Sequence, residues 1–321
     1  MRRATVLLLT LLLLMVSAVA AYAVFLRQRQ VPSNAITTAA DWVAPTTSAS
    51  VIAKTAGGTP GSIKQGQTYY VYANVTDNGN PPAGVSTVTT NVSTVTTGST
   101  AVSLVAGSYT IGGVTYNYRT NSITANAALA ASTYTYAITA TDSGGRAATT
   151  NMWSVVVDNT APSASDIQAV NKTGGIVGRA ETGDTITFTF SETIDPNSIL
   201  AGWTGASTSV VVRLNDGGGG NDTVTIFNAA NTSQLPLGSV SLGRTDYTNA
   251  NRTFGASGTA STMVQSSAAI TITLGTQSGA ASTAASTGTM AWTPSATATD
   301  PAGNACSTTV RNETGAADKE F

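Results

Sequence analysis

Two phrases of this sequence occur twice in the same order, and that repetition restricts the fold more than any other feature. Asp41-Trp42-Val43-Ala44-Pro45-Thr46 is echoed by Asp158-Asn159-Thr160-Ala161-Pro162-Ser163. Further on, Thr139-Ala140-Thr141-Asp142-Ser143-Gly144-Gly145-Arg146-Ala147 is echoed by Thr297-Ala298-Thr299-Asp300-Pro301-Ala302-Gly303-Asn304-Ala305. Self-similarity in fixed order marks a repeated structural unit. Asp, Pro and Gly at matched spacings argue against coincidence in a chain rich in Thr and Ala. The chain therefore reads as two copies of one unit laid end to end, and 321 residues suffice for two domains of ordinary size.

The period inside each copy is that of a strand. Val71, Ala73 and Val75 alternate with Tyr70, Tyr72 and Asn74. Tyr134, Tyr136, Ile138 and Ala140 alternate up to Asp142-Ser143-Gly144-Gly145, a turn signal, and Trp153, Val155 and Val157 alternate after it. This is a closing hairpin that leads straight into the second Asp-x-x-Ala-Pro phrase. In the second copy Ile186, Phe188 and Phe190 alternate, as do Val224 with Ile226, and Ile270, Ile272 with Leu274. The distance from leading to closing aspartate grows from 101 residues (Asp41 to Asp142) to 142 (Asp158 to Asp300), so some forty residues are inserted. Residues 216–221, with four successive glycines, read as a flexible hairpin tip, and 275–289 as a loop.

Residues 132–142, Ser-Thr-Tyr-Thr-Tyr-Ala-Ile-Thr-Ala-Thr-Asp, resemble the penultimate strand of bacterial immunoglobulin-like repeats. The likeness extends to the tyrosine used near the start of that strand in a tyrosine corner. Asp158-Asn159-Thr160-Ala161-Pro162 resembles the joint between adjacent copies of such repeats. The resemblance spans residues 41–311 and lacks the Cys-Trp-Cys signature of disulfide-bonded antibody domains. It implies an all-β protein of two tandem immunoglobulin-like β-sandwiches after an N-terminal hydrophobic helix. The expected division is a signal peptide or anchor over 1–25, a linker over 26–45, a first domain over 46–158, a second with inserted loops over 159–314, and a tail over 315–321.

The leader has a positive start at Arg2 and Arg3, an apolar centre and a small-residue end, the three parts of a secretory signal. A retained anchor is the alternative, touching the membrane through residues 4–25. Ala20-Ala21-Tyr22-Ala23-Val24-Phe25 resembles the leaders of TasA- and camelysin-type secreted proteins. The resemblance implies export, and the expected location is extracellular or at the cell surface. The stretch 315–321 is short and polar, with no sortase-type signal, so the N-terminal segment would have to make any attachment to a cell.

Composition excludes several chemistries. With no histidine, the chain can build no Ser-His-Asp or Cys-His nucleophile and no His-ligated zinc site. With Cys306 as its one cysteine it can form no intrachain disulfide. That thiol is expected to be buried and inert on the final strand, at the position matching Ala148, in preference to crosslinking two chains. A net charge of −1 with no basic run removes nucleic acid as a partner. The seven Asn-x-Ser/Thr sequons matter only in a glycosylating host.

Sandwich topology puts the leading phrase, the loop after the second strand and the closing turn at one end. In the first copy that end collects Asp41, Asp77 and Asp142. In the second it collects Asp158, Glu192 or Asp195, and Asp300. The strand between Asp142 and Asp158 spans roughly 35 Å at about 3.3 Å per residue, so Asp158 is expected to share a site with Asp300 and not with Asp142. Converging carboxylates at a domain joint suit calcium, and the competing reading is that each Asp caps its own turn. No cofactor is otherwise required. Glu192 and Asp195 as a glycosidase pair lack an aromatic sugar cleft. Tyr69, Tyr70, Tyr72, Tyr116 and Tyr118 offer a stacking surface for carbohydrate or protein, although alternation sends about half of them into the core.

The sequence thus predicts a non-enzymatic exported protein acting as an adhesion module or spacer, its ligand a protein or carbohydrate. The alternatives are a self-assembling subunit of an extracellular fibre or matrix, and a carbohydrate-binding appendage.

Overall fold

The structure is a computed structural model, and it describes Leu11, Leu12, Leu14, Met15 and residues 41–321. The expectations for the leader and for most of the linker lie outside the described residues. Among the described residues no helix is long and apolar enough to cross a membrane. Trp42–Phe321 forms one compact unit, in which two sheets enclose two separate cores.

The first sheet comprises β1 (Thr46–Lys54), β2 (Ser62–Ile63), β3 (Thr68–Thr76), β4 (Val85–Asn91), β5 (Val102–Ile111), β6 (Val114–Thr120), β7 (Ile123–Thr124), β8 (Ser132–Asp142) and β9 (Ala147–Val157). Its path runs β1-β3-β6-β5-β4-β8-β9-β2, with β7 against β3. β5 turns the corner between layers, pairing Val102 and Ser103 with β4 and its remainder with β6. At the other edge the incoming chain also changes layer. β1 pairs antiparallel with β3, and β2 then pairs parallel with β9. The path wraps a core that includes Ile52, Ile63, Val71, Val88, Ile138 and Val155.

Tyr134 near the start of β8 donates its hydroxyl to the Ala130 carbonyl at 3.1 Å, the bond of a tyrosine corner. Tyr134→Phe is expected to cost about 1 kcal/mol, the usual net worth of one such hydrogen bond, measured by urea unfolding.

The second sheet comprises β10 (Ala164–Val170), β11 (Thr185–Phe190), β12 (Thr208–Asn215), β13 (Thr223–Asn228), β14 (Gln234–Ser241), β15 (Arg252–Phe254), β16 (Ser261–Ser266), β17 (Ala269–Thr273), β18 (Ala291–Thr293) and β19 (Arg311–Asn312). Its order is β10-β11-β17-β16-β12-β13-β14-β18-β19, with β15 against β12. The end strands come back together, because Arg311 Nε donates to the Ser165 carbonyl and the Thr314 amide to Asp166 Oδ1, both at 2.8 Å. The alternating residues Ile186, Phe188, Phe190, Val224, Ile226, Ile270, Ile272 and Leu274 all face this core, which centres on Trp292. Residues 216–221 form the tip of the β12–β13 hairpin, as their glycines predict.

Two expectations for the second copy need correction. Its closing turn is flanked by a single Thr299↔Ala305 bridge and not by a long hairpin, so Cys306 is buried in irregular chain and not on a final strand. The stretch 315–321 is not a free tail. Glu320 and Phe321 are buried, the Gly178 amide donates to the Phe321 carbonyl at 2.7 Å, and the Phe321 ring packs edge-on to Tyr247. The one large apolar residue of that segment has a core to enter, and this outweighs the polar character of its neighbours.

Candidate carboxylate site at the joint

The repeated closing phrases fold into the same turn. In the first copy Asp142 accepts Arg146 N on Oδ1 at 2.7 Å, Asp142 N donates to Arg146 O at 2.9 Å, and Gly145 N donates to Asp142 O at 3.2 Å. In the second, Asp300 accepts Asn304 N on Oδ1 at 2.7 Å, Asp300 N donates to Asn304 O at 3.2 Å, and Gly303 N donates to Asp300 O at 3.0 Å. Gly145 and Gly303 have φ of +83° and +91°, the left-handed conformation that the turn requires and glycine adopts without strain. The aspartate in each copy therefore organises its own turn.

The copies differ in what surrounds that aspartate. In the first, Asp77 accepts Gly79 N at 3.2 Å and Gly84 N at 2.6 Å, the local capping of a loop. Asp142 and Asp77 are not gathered into a group of three carboxylates among the described residues. Asp41 closes the unit Met1–Asp41, described apart from the sandwiches. In the second copy, one oxygen each from Asp158, Glu192 and Asp300 lies within 4.8 Å of the others. Asp158 directly follows β9, Glu192 lies two residues beyond the end of β11, and Asp300 sits in the closing turn, so the site joins the two copies.

Asp195, the alternative to Glu192, is placed elsewhere. It caps the short helix α1 (Pro196–Ile199) through Asn197 N and forms a buried ion pair with Lys54 Nζ at 3.3 Å. It also accepts Thr59 N at 3.2 Å and Thr59 Oγ1 at 3.1 Å. Its expected role as a calcium ligand is replaced by that of a clamp between sandwiches. An Asp followed by Pro is the signature of a helix cap with proline at the first turn, a signal present in the sequence. A Cβ on Gly58 would collide with Asp195 Oδ2, so the close approach of these segments needs a glycine there. Lys54 Nζ also donates to Pro301 O at 2.5 Å, Lys64 Nζ to Gly303 O at 2.7 Å, and Gln65 N to Asn159 Oδ1 at 2.8 Å. Sequence reasoning missed all of these partners.

The electrostatics single out Glu192. Burial, then the neighbouring Asp158 and Asp300, and a hydrogen bond shared with Asp158, push its carboxyl up from 4.5 to about 7. Its Oε1 is buried without a hydrogen-bond partner. Asp142 Oδ2 and Glu320 Oε1 share that condition, whereas Asp222 accepts Gly217, Tyr247 and Thr248, and Asp184 accepts Lys172 and Glu181, through backbone amides. Asp300 is fully buried and bonded on both oxygens by Asn304, whose side-chain amide also holds the Asp158 carbonyl at 2.9 Å. The Cys306 thiol is pushed up to about 11 by burial and by Glu192, so it is a poor nucleophile near neutral pH.

A pH dependence follows. The native state holds the Glu192 proton more tightly than the unfolded chain does. In chelator, stability from this group is therefore fully present below 4.5 and is lost as pH rises to about 7. Urea midpoints across that interval should fall more steeply for the unaltered protein than for Glu192→Gln.

Beside the joint lies a cleft of about 450 Å³, within the range of small-molecule sites, lined by Thr59, Pro60, Ile111, Asp195, Asn197 and Trp203. The tyrosines divide. Tyr69 is in the core, bonded to Thr96 Oγ1 at 2.8 Å, and Tyr118 packs against that core. Tyr70, Tyr72 and Tyr116 form a separate cluster with Tyr109, and the Arg119 guanidinium lies 4.2 Å from the Tyr70 ring centre and 4.5 Å from that of Tyr109.

A scan against protein-family models and a search of curated proteins each find no match to this chain. The fold and the joint define the chain as an all-β protein of two sandwiches with a carboxylate cluster between them.

Proposed function

We propose that this chain is a non-enzymatic exported protein of the cell surface or extracellular space, whose paired sandwiches serve as a spacer or adhesion module stiffened at their joint by calcium. The observation that carries the reading is the convergence of Asp158, Glu192 and Asp300 where one sandwich passes into the next, with a buried oxygen of Glu192 left unbonded. Calcium takes six to eight oxygens from carboxylates, carbonyls and water. Three carboxylates supply a large share of that shell and would gain the counter-charge they lack. Asp158, Glu192 and Asp300 would hold the ion. Its chemistry would be structural, fixing the end of β9 to the end of β11.

The cleft beside the joint and the Tyr70–Tyr109–Arg119 face give the adhesion reading two places for a protein or carbohydrate ligand. The lack of any histidine supports a non-catalytic role.

Thermal melts in calcium and in chelator test the joint. At a hundred times its dissociation constant, calcium at the joint should contribute about 2.7 kcal/mol, and Glu192→Gln with Asp300→Asn should remove that contribution. Superimposable melts of the unaltered protein in both buffers reject the calcium reading. Retention on a glycan or matrix array separates adhesion from a plain spacer. Large assemblies on concentration would instead favour a fibre subunit.

A further inference from the structure

We infer that Glu313, Asp318 and Glu320 form a second divalent-cation site, built where the end of the chain folds against residues 288–290 and independent of the joint. The backbone fixes all three. The Glu313 amide donates to Met290 O and Glu313 Oε1 accepts Met290 N, both at 3.0 Å. The Asp318 carbonyl accepts Gly288 N at 2.8 Å in an antiparallel bridge. The Glu320 amide donates to the Tyr247 hydroxyl at 2.7 Å, and the buried Phe321 ring anchors the segment on the same tyrosine. These bonds hold one carboxylate oxygen from each residue within 4.8 Å of the others.

The independent sign of a ligand is Glu320. Its side chain is buried, the residue being 1% exposed, and its Oε1 has no hydrogen-bond partner. The ion pairs among the described residues are Lys54–Asp195, Arg179–Glu181 and Arg244–Asp246, and none reaches this group. Asp166 adds a further negative neighbour to Glu313. A buried carboxylate without a cation or amide partner is costly, and a hard divalent ion supplies what is lacking. All-oxygen donors point to calcium, magnesium or manganese and away from metals that favour thiolate or imidazole. In the cation-free chain the Glu320 side chain hydrogen-bonds to Glu313, itself an acid, and so gains no counter-charge from that contact.

The test uses the full chain, stripped with chelator and titrated with terbium, a luminescent stand-in for calcium, with excitation of the adjacent Tyr247. Glu192→Gln/Asp300→Asn serves as the background, so that the joint contributes nothing. Sensitised emission should persist in that background and be competed away by calcium. Glu320→Gln, a neutral mimic of the protonated acid, should lower terbium affinity at least tenfold while melting no lower than its parent in chelator. Asp318 is exposed, so Asp318→Asn should fold whatever Glu320→Gln does, and it should show the same tenfold loss. Unchanged affinity in Asp318→Asn, or no emission in the background protein, overturns the proposal. Loss of emission only on mutation of the joint would assign the ion to Asp158, Glu192 and Asp300 alone and also overturn it.

Discussion

Trp292→Ala is expected to destabilise the second sandwich by about 4 kcal/mol, the range for deleting a fully buried tryptophan. The indole is completely buried and lies edge-on to Phe188 and Phe190, with ring centres at 5.2 and 4.8 Å. Its Nε1 donates to the Leu237 carbonyl at 2.6 Å, so the mutation also leaves a buried acceptor without its partner. β18, which carries Trp292, is only three residues long and joins β14 to β19. The closing edge of the sheet thus depends on this side chain more than on its ladder. Urea unfolding followed by fluorescence in a Trp42→Phe/Trp153→Phe background, where the tryptophans left belong to the second sandwich, reports that sandwich. A loss below about 1 kcal/mol, the scale of an ordinary substitution, would contradict the packing described.

Lys54→Met is the second large effect. Removing the cation leaves Asp195 charged and almost wholly buried, a situation that costs about 3 kcal/mol when one partner of a buried pair is deleted. Asp195 keeps its bonds to Thr59 and Asn197, so the first sandwich should remain folded while its coupling to the second weakens. The double variant Lys54→Met/Asp195→Asn should regain most of the loss, because a neutral pair carries no uncompensated charge. Additive losses in that cycle would mean that the two side chains do not interact.

The sequence displayed the parts of this architecture that depend on local chemistry. Strand period placed Val71, Phe188 and Ile272 in their cores, because successive side chains of a pleated strand point to opposite faces. The matched Asp-x-x-Gly phrases folded into matched turns, since an aspartate bonding its own loop amides needs nothing beyond the loop. The convergence of Asp158 with Asp300 was also legible, from the topology of a sandwich, with strand length excluding Asp142.

What remained hidden depends on contacts distant in sequence. Lys54 meets Asp195 across 141 positions, and no periodicity points one at the other. The choice between Glu192 and Asp195 turned on Pro196, whose helix-starting geometry assigns Asp195 to α1. The closing strand of the second copy was expected by analogy with the first. In place of the long β8–β9 hairpin, the chain from Ala305 to Val310 runs without strand pairing beyond Ala305, and β18 pairs with the two-residue β19. The burial of Phe321 was unreadable because its pocket is made by Tyr247 and Gly178, far upstream.

The most direct test of the joint places one spin label on exposed Thr149 of the first sandwich and another on exposed Ser257 of the second, and measures the distance distribution between them. The account predicts a narrow distribution in calcium that broadens in chelator and stays broad in Glu192→Gln/Asp300→Asn whatever the buffer. Equal widths in calcium and chelator would contradict it.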